Sequence, residues 1–441
     1  MKEVLIISES KSPRLRYVCD FLAERYSNLS LSIHLGPNPQ TNLPKIYYTK
    51  SQGHSTDILW IPFSSGILEG SDLTPKEFEF QEQMPILFKD PSSTGFDLFY
   101  AIFWILSRAE EYHSSDRDIH GRWKASSSLL YKHRLLQLPV IDLWVDWFES
   151  KLFDQFGIVL LKKEKDISMT LGVDIDFMWK YLHKPLLYQI AGFAKDSLLL
   201  NWKNVHERWQ VLSGQIKDPY DSFDKFYLFK KHFPNIIFFI LSGGYSRHDK
   251  NHSLKLKKVR VLVQKLATTF DIGLHPSYSS FSDKKQLSKE KDNLENVLVN
   301  KINHSRFHFL RMKLPQSYRN LEELYITNDY TMGYAEKTGF RAGSTHSFFW
   351  YDLENERKTK LRVHPFIAMD RTYKDYLKYS PLEALNDLQN LWNICQKYGG
   401  EFHLIWHNSS FAEAEEWKEY DYFLENFIAS IHKIENKDSA E

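Results

Sequence analysis

From Ile167 onward, short β-rich apolar segments alternate with long stretches of helical periodicity. No other feature of the 441-residue chain constrains its fold as tightly. The strand candidates are 168–173, 235–241, 270–274, 307–311, 360–368 and 401–406. Helical periodicity runs over 182–212, 255–269, 288–300, 380–398 and 413–433. The pattern predicts an α/β domain with a parallel sheet, open or closed into a barrel. A barrel of this kind takes about 250 residues, so the chain has room for a second domain. Residues 1 to about 160 supply it, with strands at 3–7, 45–49 and 57–62 and helical segments at 14–26, 97–112 and 140–156. The charged stretch Lys162-Lys-Glu-Lys-Asp166 marks the expected boundary between an N-terminal α/β domain, 1–160, and a larger domain, 161–441.

Charge and cysteine usage narrow the partners. A formal net charge of +1, with Lys and Arg scattered, gives no reason to expect nucleic acid. The densest basic stretch, His248 to Lys258, has no stacking platform beside it and reads as an exposed loop. Cys19 and Cys395 sit in amphipathic segments and read as buried thiols; two cysteines make neither a disulfide framework nor a CxxC metal site. The N-terminus offers four apolar residues in a row, too few for a signal peptide. The longest apolar run, Leu98 to Leu106, falls short of the ~20 residues of a membrane helix. The expectation is a cytoplasmic protein with no membrane span; its oligomeric state is not legible.

The chemistry is concentrated where Ser168-Met-Thr-Leu-Gly-Val-Asp-Ile-Asp176 ends. Strand alternation sends Asp174 and Asp176 to one side, roughly 6.6 Å apart. Two carboxylates aimed the same way are costly unless something positive sits beside them, such as a metal ion. Asp174, Asp176, Gly243-Gly244, His275, Asp370 and His407 all fall at C-terminal ends of expected strands, the face on which barrel enzymes gather catalytic groups. His275, between an apolar strand and Pro276, either ligates a metal or caps the strand; imidazole with carboxylate suits zinc and related ions. His403 and His407 flank a strand-like Leu404-Ile-Trp406 and lie roughly 13 Å apart, too far for one ion. His403 therefore reads as structural, and His407 is free for proton transfer. Arg306 and His308 share one face of an expected short strand, the Arg to orient a carboxylate and the His to fill a metal shell, or both are structural. Arg341, between Gly339 and Gly343, either presents a guanidinium to a pocket or pairs with an acid. Arg108 with Glu111 fits an ordinary i,i+3 helix pair.

The order Val173-Asp-Ile-Asp176, Ile272-Gly-Leu-His-Pro-Ser277, an Arg-bearing segment and Leu404-Ile-Trp-His407 resembles the polysaccharide deacetylase (NodB-homology) family over about 167–430. The N-terminal part is similar to the extra α/β domain of one bacterial branch. The resemblance implies a distorted (β/α) barrel that hydrolyses N-acetyl, sometimes O-acetyl, groups of sugars with a divalent metal, zinc being the expected ion. It implies Asp174 as general base, Asp176 as metal ligand, His275 as first metal histidine, Arg306 or Arg341 as the group orienting the base, and His407 as general acid. The partner implied is an acetylated sugar or glycan. The family's second metal histidine lies four residues after the first, where this chain has Ser279; His308, a weak ligand at Ser279, or degraded metal binding are the open alternatives. Two other functions compete. A metal-dependent glycosyltransferase would use Asp174-Ile-Asp176 as its DxD but gives His275 and His407 no common task. A degraded, non-catalytic glycan-binding protein would follow from Ser279.

Overall fold

The computed structural model describes residues 1–50, 58–71, 73–74, 77–90, 95–163, 167–412, 417–420 and 422–438. Two compact units are formed, each from several stretches of chain. The first comprises Met1–Ser168, Met312–Ile367 and Leu391–Phe402; the second comprises Met169–Arg311, Ala368–Asn390 and His403–Glu441. Part of the charged stretch at the expected boundary, 164–166, lies outside the described residues.

The first unit is built on a parallel sheet of β1 (Lys2–Ser8), β2 (Leu29–Leu35), β3 (Lys45–Thr49) and β4 (Ile58–Pro62), in the order β2-β1-β3-β4. Central β1 carries Val4-Leu-Ile-Ile7, all buried, as a strand covered on both faces requires. Helix α1 (Pro13–Glu24) starts where Ser12 accepts a hydrogen bond from the Leu15 N–H and Pro13 occupies the first turn. The longest apolar run forms α2 (Leu98–Leu106), buried on every side, which is the signature of a core helix. Arg108 takes a left-handed conformation (φ 59°) and splits the expected helix 97–112, leaving a short Ala109–His113 helix. Helix α3 (Val140–Phe156) ends on left-handed Gly157. Farther along the chain, Arg357–Val363 pairs antiparallel with Phe348–Asp352 and parallel with Asn328–Asp329.

The second unit alternates strand and helix. Its elements are β5 (Ser168–Ile175), α4 (Leu186–Leu198), α5 (Trp202–Leu212), β6 (Asn235–Leu241), α6 (Lys257–Ala267), β7 (Asp271–His275), α7 (Lys284–Leu298), β8 (His304–Ser305), β9 (Ala368–Met369), the first part, to Asn390, of α8 (Pro381–Tyr398) and the last part, from His403, of β10 (Glu401–His407). These strands follow one another in the order β8-β7-β6-β5-β10-β9, so β5 lies between β6 and β10. The β5–β6, β6–β7, β7–β8 and β9–β10 pairs are parallel. Gly172 in β5 leaves room for its neighbours: a Cβ there would meet Ile405 Cδ1 at 2.5 Å and His403 Nε2 at 3.3 Å.

Several expectations are corrected. Closure into a barrel is not confirmed: among the described residues the strand order is linear. The expected strand 307–311 is instead a turn after the two-residue β8; Phe309 and Leu310 both adopt left-handed φ values of 58° and 56°, which no strand admits. The expected strand 360–368 is broken into Arg357–Val363 and Ala368–Met369. The helical stretch 182–212 is two helices, broken at Leu199–Asn201. Of the helix expected over 413–433, 413–416 lie outside the described residues and the helix present is Phe423–Asp438. Among the described residues, no helix is long and apolar enough to cross a membrane.

Candidate metal and proton-transfer site

In β5 the buried Val173 and Ile175 point into the core, and alternation turns Asp174 and the following Asp176 to the other side. On that side they meet the end of β7. His275 is its last residue, in register with Leu241 of β6, and Pro276 ends the strand. His275 Nε2 lies 3.3 Å from Asp176 Oδ1 and 3.7 Å from Asp174 Oδ2. His308, in the turn beyond β8, brings its Nε2 to 3.4 Å from the same Asp176 oxygen. Ligand atoms of Asp176, His275 and His308 all lie within 4.8 Å of one another.

Both imidazoles are held from behind. The His275 Nδ1–H donates to the Arg306 carbonyl and the His308 Nδ1–H donates to Asp249 Oδ1 at 2.8 Å, which leaves each Nε2 lone pair facing the centre. Asp249 is itself fixed by the Tyr278 N–H at 2.9 Å and the Ser246 hydroxyl at 2.9 Å. Asp176 Oδ1 and His275 Nε2 are buried without a hydrogen-bond partner among the described residues. Buried polar atoms in that condition are rare and costly, and here they converge. Two neutral imidazoles, one carboxylate and a hydrogen-bonded outer layer match what zinc takes, so these residues fit a divalent cation. The electrostatics agree. Burial opposes ionisation of Asp176, but His308 and His275 hold its carboxyl well below the usual range. Burial would lower His308, but Asp176 outweighs it and, with Asp249, raises the imidazole to about 9, so a cation bound there would displace a proton and leave the imidazole neutral.

Beside this cluster stand two further pairs. Arg306 Nη2 lies 3.0 Å from Asp174 Oδ2, both side chains buried, while Asp174 Oδ1 has no hydrogen-bond partner among the described residues. The Arg306 N–H donates to the Leu274 carbonyl at 3.0 Å, so strand pairing sets where the guanidinium starts. His407, the last residue of β10, donates from Nδ1 to Asp370 at 2.9 Å and from its backbone N–H at 2.8 Å; Ser410 donates to the same carboxylate. Its Nε2 lies 3.8 Å from both Asp174 Oδ2 and Asp176 Oδ2. Burial pulls the His407 imidazole down, but Asp370 prevails and raises it.

Asp174, Asp176, His275, Arg306, His308 and His407 are therefore brought together, although Arg306 and His308 arrive from a turn instead of one strand face. Ser279 is exposed and outside the cluster. Arg341 is not available as a partner for Asp174, and that expectation is corrected. It belongs to the first unit, where Nε and Nη2 bind Glu111 at 3.1 and 2.7 Å and Nη1 donates to the Gly333 carbonyl. Glu111 also takes Arg108 at 2.9 Å, so this acid is shared by two buried arginines. The sequence alone gives Asp249 and Asp370 no role in the site. Asp370 carried a signal, its strand-end position. Asp249 lay hidden in the stretch read as an exposed loop, yet it is buried.

Residues 4–157 match a family profile described as a family of unknown function, DUF7033. Among curated proteins there is no match. Similar solved structures include a candidate polysaccharide deacetylase from Mycobacterium smegmatis, at 16% identity over 61% of this chain and 85% of that one, TM-score 0.38. Another is a mutant of a CE4 family pseudoenzyme with restored enzymatic activity, at 10% identity over 60% of this chain and 64% of that one, TM-score 0.27.

Proposed function

We propose that the chain is a metal-dependent carbohydrate deacetylase, hydrolysing N-acetyl or O-acetyl groups of a sugar or glycan precursor. One observation carries this reading: three lone-pair atoms, of Asp176, His275 and His308, converge beside an Asp174–Arg306 pair and a His407–Asp370 pair. His308 takes the place that Ser279 leaves vacant in the resemblance, which favours a working site over a degraded one.

Asp176, His275 and His308 would hold the cation. A bound zinc ion supplies Lewis acidity, lowering the pKa of water and polarising an acetyl carbonyl. Arg306 fixes Asp174 through Oδ2 and leaves Oδ1 as the atom that accepts the proton of attacking water. Asp370 fixes the ring of His407 through Nδ1 and leaves Nε2–H as the proton donor to the departing amine or alcohol. Because His407 Nε2 faces both carboxylates, the acid and the base address one small volume. The test is acetate release from N-acetylglucosamine oligosaccharides by protein stripped with chelator and then reloaded with zinc. Acetate released only by the reloaded protein supports the reading; none released from any acetylated sugar overturns it.

A further inference from the structure

The loop that braces His308 through Asp249 continues into the wall of a cavity of about 1310 Å³ in the second unit. Phe177, the residue after Asp176, lines the same cavity, so its space adjoins the strand end that carries the site. Nine Lys and Arg side chains line it and, among the described residues, no Asp or Glu does. One of the nine, Arg208, is paired with Asp196 at 2.7 Å. The others, Lys250, Lys255, Lys257 and Lys258 among them, have no carboxylate partner among the described residues. Burial lowers the Lys184 ammonium, and Arg208, Lys180 and Lys250 lower it further against the opposing pull of Asp218. A cavity of this charge takes an anion of several charges, and phosphate is the group that lysines bind as point charges.

A second observation says where that phosphate comes from. Tyr188, Ala191, Gly192 and Lys195 of α4 face the cavity at helical spacing. Elsewhere on α4, in the turn and at the first residue of α5, Leu186, Leu187, Leu198, Leu199, Leu200 and Trp202 are each 62% exposed or more. Helices this apolar are ordinarily buried, and among the residues of α4 itself only Gln189 is. Leucines and a tryptophan beside a cluster of lysines form the pattern of a helix lying in a bilayer interface. A second copy seated on the same face would bring the two cationic cavities toward each other, whereas an anionic bilayer complements them.

We propose that the α4–α5 hairpin docks on an anionic bilayer and that the substrate is a sugar carried on a membrane lipid phosphate, its phosphate held in the cationic cavity. Only the word sugar rests on the deacetylase reading; docking and phosphate binding stand apart from it. The test is co-sedimentation of the full chain with vesicles of phosphatidylcholine, alone or mixed with phosphatidylglycerol, together with calorimetric titration of inorganic pyrophosphate. The variants are L187E/L199E in the hairpin and K255E/K257E/K258E in the cavity, each checked for unchanged circular dichroism. The expected result is binding to the mixed vesicles, reduced roughly tenfold or more by either variant. Pyrophosphate binding should be kept by the hairpin variant and lost by the cavity variant. Pyrophosphate binding without vesicle binding overturns the lipid source in favour of a water-soluble phosphate. A hairpin variant that dissociates a dimer instead shows that a second copy covers the face, and also overturns it. Vesicle binding that survives both variants, or no binding of either probe, overturns the whole proposal. A protein that shows the expected pattern but never releases acetate contradicts the deacetylase reading alone.

Discussion

Asp174 and Asp176 stand one residue apart, yet their surroundings divide the labour between them. Asp174 is clamped by Arg306 through one oxygen, whereas Asp176 faces two imidazoles. On the proposed reading, Asp174→Asn removes the proton acceptor without touching the cation's ligands. Its turnover on an acetylated oligosaccharide should fall roughly 10²–10⁴-fold while metal content stays unchanged. Asp249 acts one step farther out, by holding the His308 ring. Asp249→Ala should weaken zinc affinity about 10–100-fold, as measured by competition with a chromophoric chelator. The sequence makes Asp174, Asp176, His275 and His407 legible because each closes an apolar strand. Asp249 was not legible, since its partner lies 59 residues away and nothing local separates a buried Asp in a basic loop from a solvated one.

At the level of elements, what periodicity reveals is the existence of strands and helices, and what it misses is where backbone conformation overrules side-chain pattern. Ser305-Arg-Phe-His-Phe alternates like a strand, but left-handed Phe309 and Leu310 fold it into the turn that delivers His308. Non-glycine residues in that region cost of order 1–3 kcal/mol each and tend to be kept where they position function. Arg108 breaks an apparent single helix in the same way. Closure into a barrel was likewise not decidable from the alternation, because open and closed sheets bury the same apolar strands. The first unit depends on a comparable backbone detail. Gly339 has φ +112°, and a Cβ there would lie 2.3 Å from the Leu136 carbonyl oxygen. Gly339→Ala should destabilise the first unit by more than about 2 kcal/mol in urea unfolding, since neither strain nor clash can be relieved by a side chain moving.

On the scale of the whole molecule, segments far apart in the chain are joined within each unit by buried charge. In the first unit Asp142 is bound by Arg25 at 2.6 Å and by the Thr345 N–H at 2.7 Å. Burial would raise its carboxyl, but Arg25 and His346 hold it well below the usual range. The unfolded carboxyl thus takes its proton at a higher pH than the folded one. The stability this group contributes is complete above about pH 4 and is lost as pH falls from there through the lower folded value. Wild-type stability should drop more steeply below pH 4 than that of Asp142→Asn, in urea titrations followed by circular dichroism. In the second unit Asp176, His275 and His308 converge from distant segments in the same manner, and on the proposed reading a cation takes the place of the arginine. Metal analysis of protein dialysed against zinc, beside His308→Gln and Asp174→Asn treated alike, tests that claim most directly. About one zinc per chain in the wild type and in Asp174→Asn, with little in His308→Gln, is the result these three ligands predict. A wild-type protein that holds no zinc, or a His308→Gln variant that holds as much, would contradict it.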